Sequence, residues 1–95
     1  MAQEFEWDRD KNRSNQQKHG VSFDEAVTVF RDENADLMRD SDDSGEEDRF
    51  LILGLSFTHR VLIVCHCYRK SDTVIRIISA RKATPFERLD YEKLL

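Results

Sequence analysis

The chain has 95 residues, 39% apolar and 36% charged, which is enough for one core under a densely charged surface and too short for two. One Pro and three Gly exclude collagen-like and low-complexity chains, and no apolar run reaches the roughly 18 residues of a membrane span. The net charge of −4 is unevenly spread: residues 32–48 hold nine acids against Arg39, a net −8, whereas residues 49–95 hold nine Lys and Arg against four acids, a net +5.

The acidic run reads as a solvated loop, and the basic half as the place where a polyanion would bind. The start, MAQEFEWDRDK, lacks the basic-then-apolar pattern of a secretory leader. Cys65 and Cys67 lie two apart in a strand-like run, which points both to one face in poor geometry for a mutual disulfide. A reduced, cytoplasmic protein with one domain over 1–95 is expected.

Residues 2–7 alternate and suggest a short first strand. Asp8 is a good N-cap for a helix over Arg9–His19, almost wholly polar, with Gly20 as its stop. Ser22-Phe23-Asp24-Glu25 spells a capping box, Val21 can staple onto Ala26, and Phe23, Ala26, Val27 and Phe30 form the apolar face of a second helix. Ala35–Asp40, Arg49–Ser56, Arg60–Tyr68 and Thr73–Ala80 are candidate strands, and the acidic stretch 41–48 is the longest loop and the best place for local disorder. Thr84-Pro85-Phe86-Glu87 gives an N-cap, a proline at the first helical position and a second capping box, for a terminal helix over 85–94. The order β-α-α-β-β-β-β-α predicts an α+β domain, with a four- or five-stranded, mainly antiparallel sheet.

At this point the motifs resemble the BrnT family of bacterial type II toxins. The matching pieces are Phe5-Glu6-Trp7-Asp8, Lys18-His19-Gly20-Val21-Ser22-Phe23, Glu25-Ala26, Val29-Phe30, Arg49, Gly54-Leu55-Ser56 and Arg60-Val61-Leu62-Ile63-Val64, then Ile75 through Ala83 (IRIISARKA), Glu87-Arg88 and Tyr91. The departures are the acidity of 41–48, His59 where a glycine would be common, and Cys65-His66-Cys67 within a strand. The resemblance implies a RelE-like fold, RNA cleavage without metal or other cofactor, and neutralisation by a BrnA-type antitoxin. That antitoxin carries a ribbon-helix-helix module, so a 2:2 complex is expected, with operator DNA reached only through the antitoxin and no membrane partner.

Metal-independent RNA cleavage makes the neighbouring 2′-hydroxyl attack phosphorus. A base takes its proton, an acid protonates the leaving 5′-oxygen, and cations stabilise the charge that develops. RelE-type enzymes use Arg, Lys and Tyr for this, which makes Arg76, Lys18, His19, Arg81 and Tyr91 the catalytic candidates and Arg60, His66, Lys82 and Glu87 the RNA-contacting ones. Arg76 alternates with Val74, Ile78 and Ala80. Because Arg is rarely buried unpaired, its face opens to solvent, carries an acid such as Glu87, or lines a phosphate site. Arg81 falls on the opposite parity, with Ile75, Ile77 and Ser79, unless the strand ends first. Lys18-His19 closes the first helix, where cations serve the macrodipole or a phosphate. Arg60 and His66 share a strand face with Leu62, Val64 and Tyr68, and a lone strand histidine commonly plays a structural part. Glu87 and Tyr91 lie one turn apart, where Glu87 serves the capping box and Tyr91 is core, stacks on a base or acts as an acid.

Zinc is rejected, since alternation sends His66 away from Cys65 and Cys67 and no further ligand pair exists. P-loop, GxGxxG and GxSxG patterns are absent. The competing reading is a non-catalytic protein-binding module that docks a DNA-binding partner for repression. A stand-alone DNA-binding domain lacks a basic recognition helix.

Overall fold

A computed structural model of the chain describes residues 3–40 and 48–95. The elements are β1 (Glu4–Glu6), α1 (Arg9–His19), α2 (Phe23–Thr28), a 3-10 turn (Val29–Arg31), β2 (Asp36–Arg39), β3 (Phe50–Leu55), β4 (Val61–Arg69), β5 (Val74–Lys82) and α3 (Pro85–Glu92). This is the expected α+β order with five strands, each within a residue or two of its expected bounds at the ends that can be compared. Residues 41–47, where disorder was expected, lie outside the described residues.

The helix ends follow the sequence signals. Asp8 caps α1 by accepting from the Asp10 amide at 3.0 Å, and Gly20 closes it at φ 68, a left-handed conformation that glycine adopts without steric penalty. Thr84 and Glu87 complete a reciprocal capping box on α3, with Pro85 in its first turn. At α2 only half of the expected box forms. The Ser22 hydroxyl accepts from the Glu25 amide, but the Glu25 carboxylate turns away to β4. The second helix also stops as α-helix at Thr28 and tightens into the 3-10 turn, which carries Phe30.

The sheet order is β1-β5-β4-β3-β2. Three pairings are antiparallel hairpin neighbours, while β1 runs parallel to β5, pairing Phe5 with Ile75 and Glu6 with Arg76. Between β1 and β2 the chain crosses one face of the sheet as α1 and α2, which joins the two edge strands. That inner face holds the main core: Val21, Phe23, Ala26 and Val29 from the helical side against Ile52, Leu62, Val64, Ile75, Ile77 and Ala80. The outer face carries a smaller cluster, Leu53, Ile63 and Tyr91, where α3 packs chiefly against β3.

α1 has almost no apolar face, and its one buried residue, Asn15, explains how it docks. The Asn15 amide donates to the carbonyls of Val21 and Ala80, both at 2.8 Å, and its oxygen accepts from the Ala80 amide at 3.1 Å. One side chain thus ties the helix to the turn that follows it and to β5. Asn12 adds a second tie by accepting from the Phe23 amide at 2.9 Å.

The largest departure from expectation is a bulge in β5. Cys65 pairs with Ser79 but His66 pairs with Ile77, so Ile78 has no partner of its own on β4. The extra residue reverses the alternation. Ala80 joins Ile75 and Ile77 in the inner core rather than sharing a face with Arg76. Arg81, opposite Ile63, turns to the outer face that Arg76 occupies, so the expected opposite parity of the two arginines is corrected.

Candidate nucleic-acid interface

The β3–β4 turn, Ser56 to Arg60, is organised by one buried carboxylate. Glu25 on α2 accepts from the Ser56 hydroxyl at 2.7 Å, the Thr58 hydroxyl at 2.5 Å, Arg60 Nε at 2.9 Å and an Arg60 Nη. The Arg60 hydrogen bond is the main cause that holds the Glu25 carboxyl at about 2, overcoming the desolvation that works to raise it. Arg60 also donates to the Gly20 carbonyl at 3.1 Å, which ties the C-terminal end of α1, and with it Lys18 and His19, to the start of β4. Phe57 N donates to the Thr28 hydroxyl at 3.0 Å. Within this fixed turn His59 adopts φ 65, a strained conformation for a residue with a Cβ.

Beyond the turn lies a groove of about 320 Å³ lined by His59, Arg60, Val61, Lys82, Ala83 and Arg88. Every charged group in that lining is a base. Larger hollows of about 550 and 490 Å³ open elsewhere, but Asp48 and Asp72 line the first and the second is mostly apolar, so neither suits a phosphate. Next to the groove residue Lys82, Arg81 turns to the outer face of β5. There Arg81 holds Glu87 in a two-pronged pair, 2.8 and 3.0 Å, and Arg76 meets Glu6 at 2.9 Å. The Arg81 hydrogen bond is the leading cause that lowers the Glu87 carboxyl to about 2. The pairs are open to solvent, with side-chain exposures of 31% for Arg76 and 41% for Arg81. Exposed pairs of this kind are worth about 0–1 kcal/mol, so an incoming phosphate meets little resistance in replacing the carboxylate.

The sequence candidates divide accordingly. Arg60, Arg81, Lys82 and Glu87 gather at or beside the groove. Lys18 and His19 are exposed in the last turn of α1, next to the Gly20 carbonyl that Arg60 holds. Arg76 shares Arg81's face but lies further along β5, and its acidic partner is Glu6, not Glu87. His66 is fully buried on the inner face among Phe30, Phe50 and Tyr68, where burial pushes its pKa down and no RNA can touch it. Tyr91 is 4% exposed and donates to Asp32 at 2.5 Å. Burial and the Asp32 carboxylate push its hydroxyl up to about 12. His59 and Arg88 are groove residues outside the expected set. A non-glycine residue in so short a hairpin connection is the one signal that marks His59 in the sequence.

Cys65 and Cys67 are buried thiols on the outer side of β4, with no disulfide between them. Among the described residues no group of three or more His, Cys, Asp and Glu is gathered to hold a metal ion, and no described helix is long and apolar enough to cross a membrane.

Comparison with known proteins places this geometry in context. No curated protein matches the chain. Among solved structures, the fold is similar to that of the ribonuclease toxin BrnT of Brucella abortus, with a TM-score of 0.67 at 20% identity, covering 87% of this chain and 99% of that one. Residues 7–87 match the family model described as the ribonuclease toxin, BrnT, of type II toxin–antitoxin systems. The chain therefore belongs to the BrnT family of ribonuclease toxins.

Proposed function

We propose that this chain, acting as one domain over residues 1–95, is an endoribonuclease toxin that cleaves RNA in the cytoplasm without a metal. In this reading the RNA backbone lies in the groove beside Arg60 and Lys82 and crosses the outer face of β5 at Arg81 and Arg76. The observation that carries it is the β5 bulge, which sets two guanidinium groups on one face, with Arg81 next in sequence to Lys82 of the groove lined by basic residues. Guanidinium groups stay charged throughout the reaction and hold two phosphate oxygens at once, which is the stabilisation a crowded phosphorane needs. Glu6 and Glu87 keep these groups oriented until phosphate displaces them. Lys18 and His19 stand exposed at the helix end tied to Arg60.

A type II toxin works against an antitoxin. We assign this one a BrnA-type antitoxin with a ribbon-helix-helix module, in a 2:2 complex because such modules dimerise. Operator DNA is then bound through the antitoxin alone.

The test is cleavage of a short end-labelled oligoribonucleotide of mixed sequence in the presence of a chelator. Arg76→Ala and Arg81→Ala are each expected to slow cleavage by about 10- to 150-fold, the worth of a charged hydrogen bond of roughly 1.5–3 kcal/mol, with native-like circular dichroism. Both variants cleaving at the wild-type rate would overturn the site. An inert wild-type chain would leave the docking module as the reading.

A further inference from the structure

Cleavage is assisted by a group that accepts and returns a proton near neutrality, which an arginine, charged throughout, does poorly. Histidine is the side chain suited to it. The chain has three. His66 is sealed in the inner core, and His19, exposed in the last turn of α1, is not in the groove lining. Tyr91 is committed to Asp32. Only His59 lines the groove itself.

Its setting is built, not incidental. His59 stands at φ 65, where a glycine would sit without strain, in a turn closed by His59 N to the Ser56 carbonyl at 2.9 Å and Ser56 N to the Arg60 carbonyl at 2.8 Å. Glu25 fixes the residues on both sides of it through Thr58 and Arg60. Strain of this kind costs on the order of 1 kcal/mol and persists where the surroundings over-determine it, a pattern common at functional sites. The charged groups around it in the groove are Arg60 just before β4, Lys82 from β5 and Arg88 from α3, with no carboxylate in the lining.

We propose that His59 is the proton-transfer group of the ribonuclease reaction, a deepening that rests on the function proposed above. Its neutral imidazole takes the 2′-hydroxyl proton as the O2′–P bond forms. The P–O5′ bond then breaks, and the departing 5′-oxygen takes a proton from water. The imidazolium gives its proton to the hydroxide so formed and returns to the neutral state. The products are a 2′,3′-cyclic phosphate and a free 5′-hydroxyl, and the fixed turn keeps His59 in the same groove lining as Lys82 and Arg88.

The experiment measures kcat and KM against pH on the same oligoribonucleotide for the wild-type chain, His59→Gly and His59→Gln. Glycine relieves the left-handed strain, so His59→Gly folds, and its thermal midpoint checks this. Loss of a general base lowers kcat by about 10²–10⁴-fold with little change in KM. It also changes the shape of the rate profile against pH. Added imidazole is expected to restore part of the rate in His59→Gly and not in His59→Gln, whose side chain fills the space. His59→Gly cleaving at the wild-type kcat with an unchanged profile overturns this inference alone. A wild-type chain that leaves the RNA intact at every pH overturns it together with the reading beneath it.

Discussion

The Glu25 carboxylate on α2 holds the Arg60 guanidinium at the head of β4 through two of its nitrogens, across 35 residues of chain. The two are unequally exposed, 8% for the Glu25 side chain and 31% for Arg60, so the pair is buried at its acidic end and open at its basic end. That asymmetry suits an arginine that is structurally anchored and still reaches a ligand. It also makes the pair a source of acid sensitivity.

The folded Glu25 carboxyl sits at about 2 against an ordinary 4.5. A depressed carboxyl stabilises the fold fully above its unfolded value, and that contribution drains away as pH falls from about 4.5 towards 2. The difference corresponds to about 3 kcal/mol, and the solvent that reaches Arg60 screens it to about 2 kcal/mol. Glu25→Gln is expected to cost about 2–3 kcal/mol at neutral pH, a drop of roughly 10–20 °C in thermal midpoint. Urea titrations from about pH 6 down to about pH 3 check the linkage: wild-type stability should fall faster than that of Glu25→Gln. Parallel curves would place the acid sensitivity elsewhere.

Asn15 is the docking point of a helix with no apolar stripe. Asn15→Ala strands the Ala80 amide and leaves the Val21 and Ala80 carbonyls short of a donor, all in the interior. Unsatisfied buried groups cost about 1–3 kcal/mol each, partly recovered if water enters. The expected loss is about 2–4 kcal/mol by urea denaturation, with faster hydrogen exchange in α1 than in α3. An effect under about 0.5 kcal/mol would mean that α1 is held by something else.

These two residues also mark where the sequence is readable and where it is not. Caps are local, so Asp8, Gly20 and the Thr84–Glu87 box are legible from adjacent letters, and the strands follow from their β-branched runs. Glu25 misleads because Ser22-x-x-Glu25 has the letters of a capping box, yet a buried site offering donors from Ser56, Thr58 and Arg60 outweighs one backbone amide. Asn15 is silent, since one polar residue among ten others breaks no pattern. The bulge is silent for the opposite reason. Ile75 to Ala80 is apolar on both parities apart from Arg76 and Ser79, so a slip of one residue leaves the hydrophobic reading intact while moving Arg81 to the other face. The parallel pairing of β1 with β5 joins segments about 70 residues apart and has no local signature.

Gly54 in β3 packs under the 3-10 turn. A Cβ there would come within 2.8 Å of Val29 Cγ1, 3.0 Å of the Ala35 Cβ and 3.2 Å of an Asp32 carboxylate oxygen. Val29 is wholly buried and has no room to retreat. Gly54→Ala should therefore destabilise by about 1–3 kcal/mol through overpacking, read from the urea midpoint. A stabilised variant would show that β3 tolerates a shift away from the turn.

Tyr91 separates a structural from a chemical role. Its hydroxyl donates to the Asp32 Oδ2 that also accepts from the Leu55 amide at 2.8 Å, so α3, the 3-10 turn and the end of β3 meet on one carboxylate. With its hydroxyl pushed up to about 12, Tyr91 stays protonated across the neutral range, and that proton is committed to Asp32. Tyr91→Phe removes one hydrogen bond to a charged acceptor, worth about 1.5–3 kcal/mol, while Asp32 keeps the amides of Leu55 and Asn34. The expected result is a lower unfolding midpoint with cleavage per folded molecule unchanged. A loss of cleavage at unaltered stability would instead put the Tyr91 hydroxyl at the scissile phosphate, and would require α3 to leave Asp32 when RNA binds.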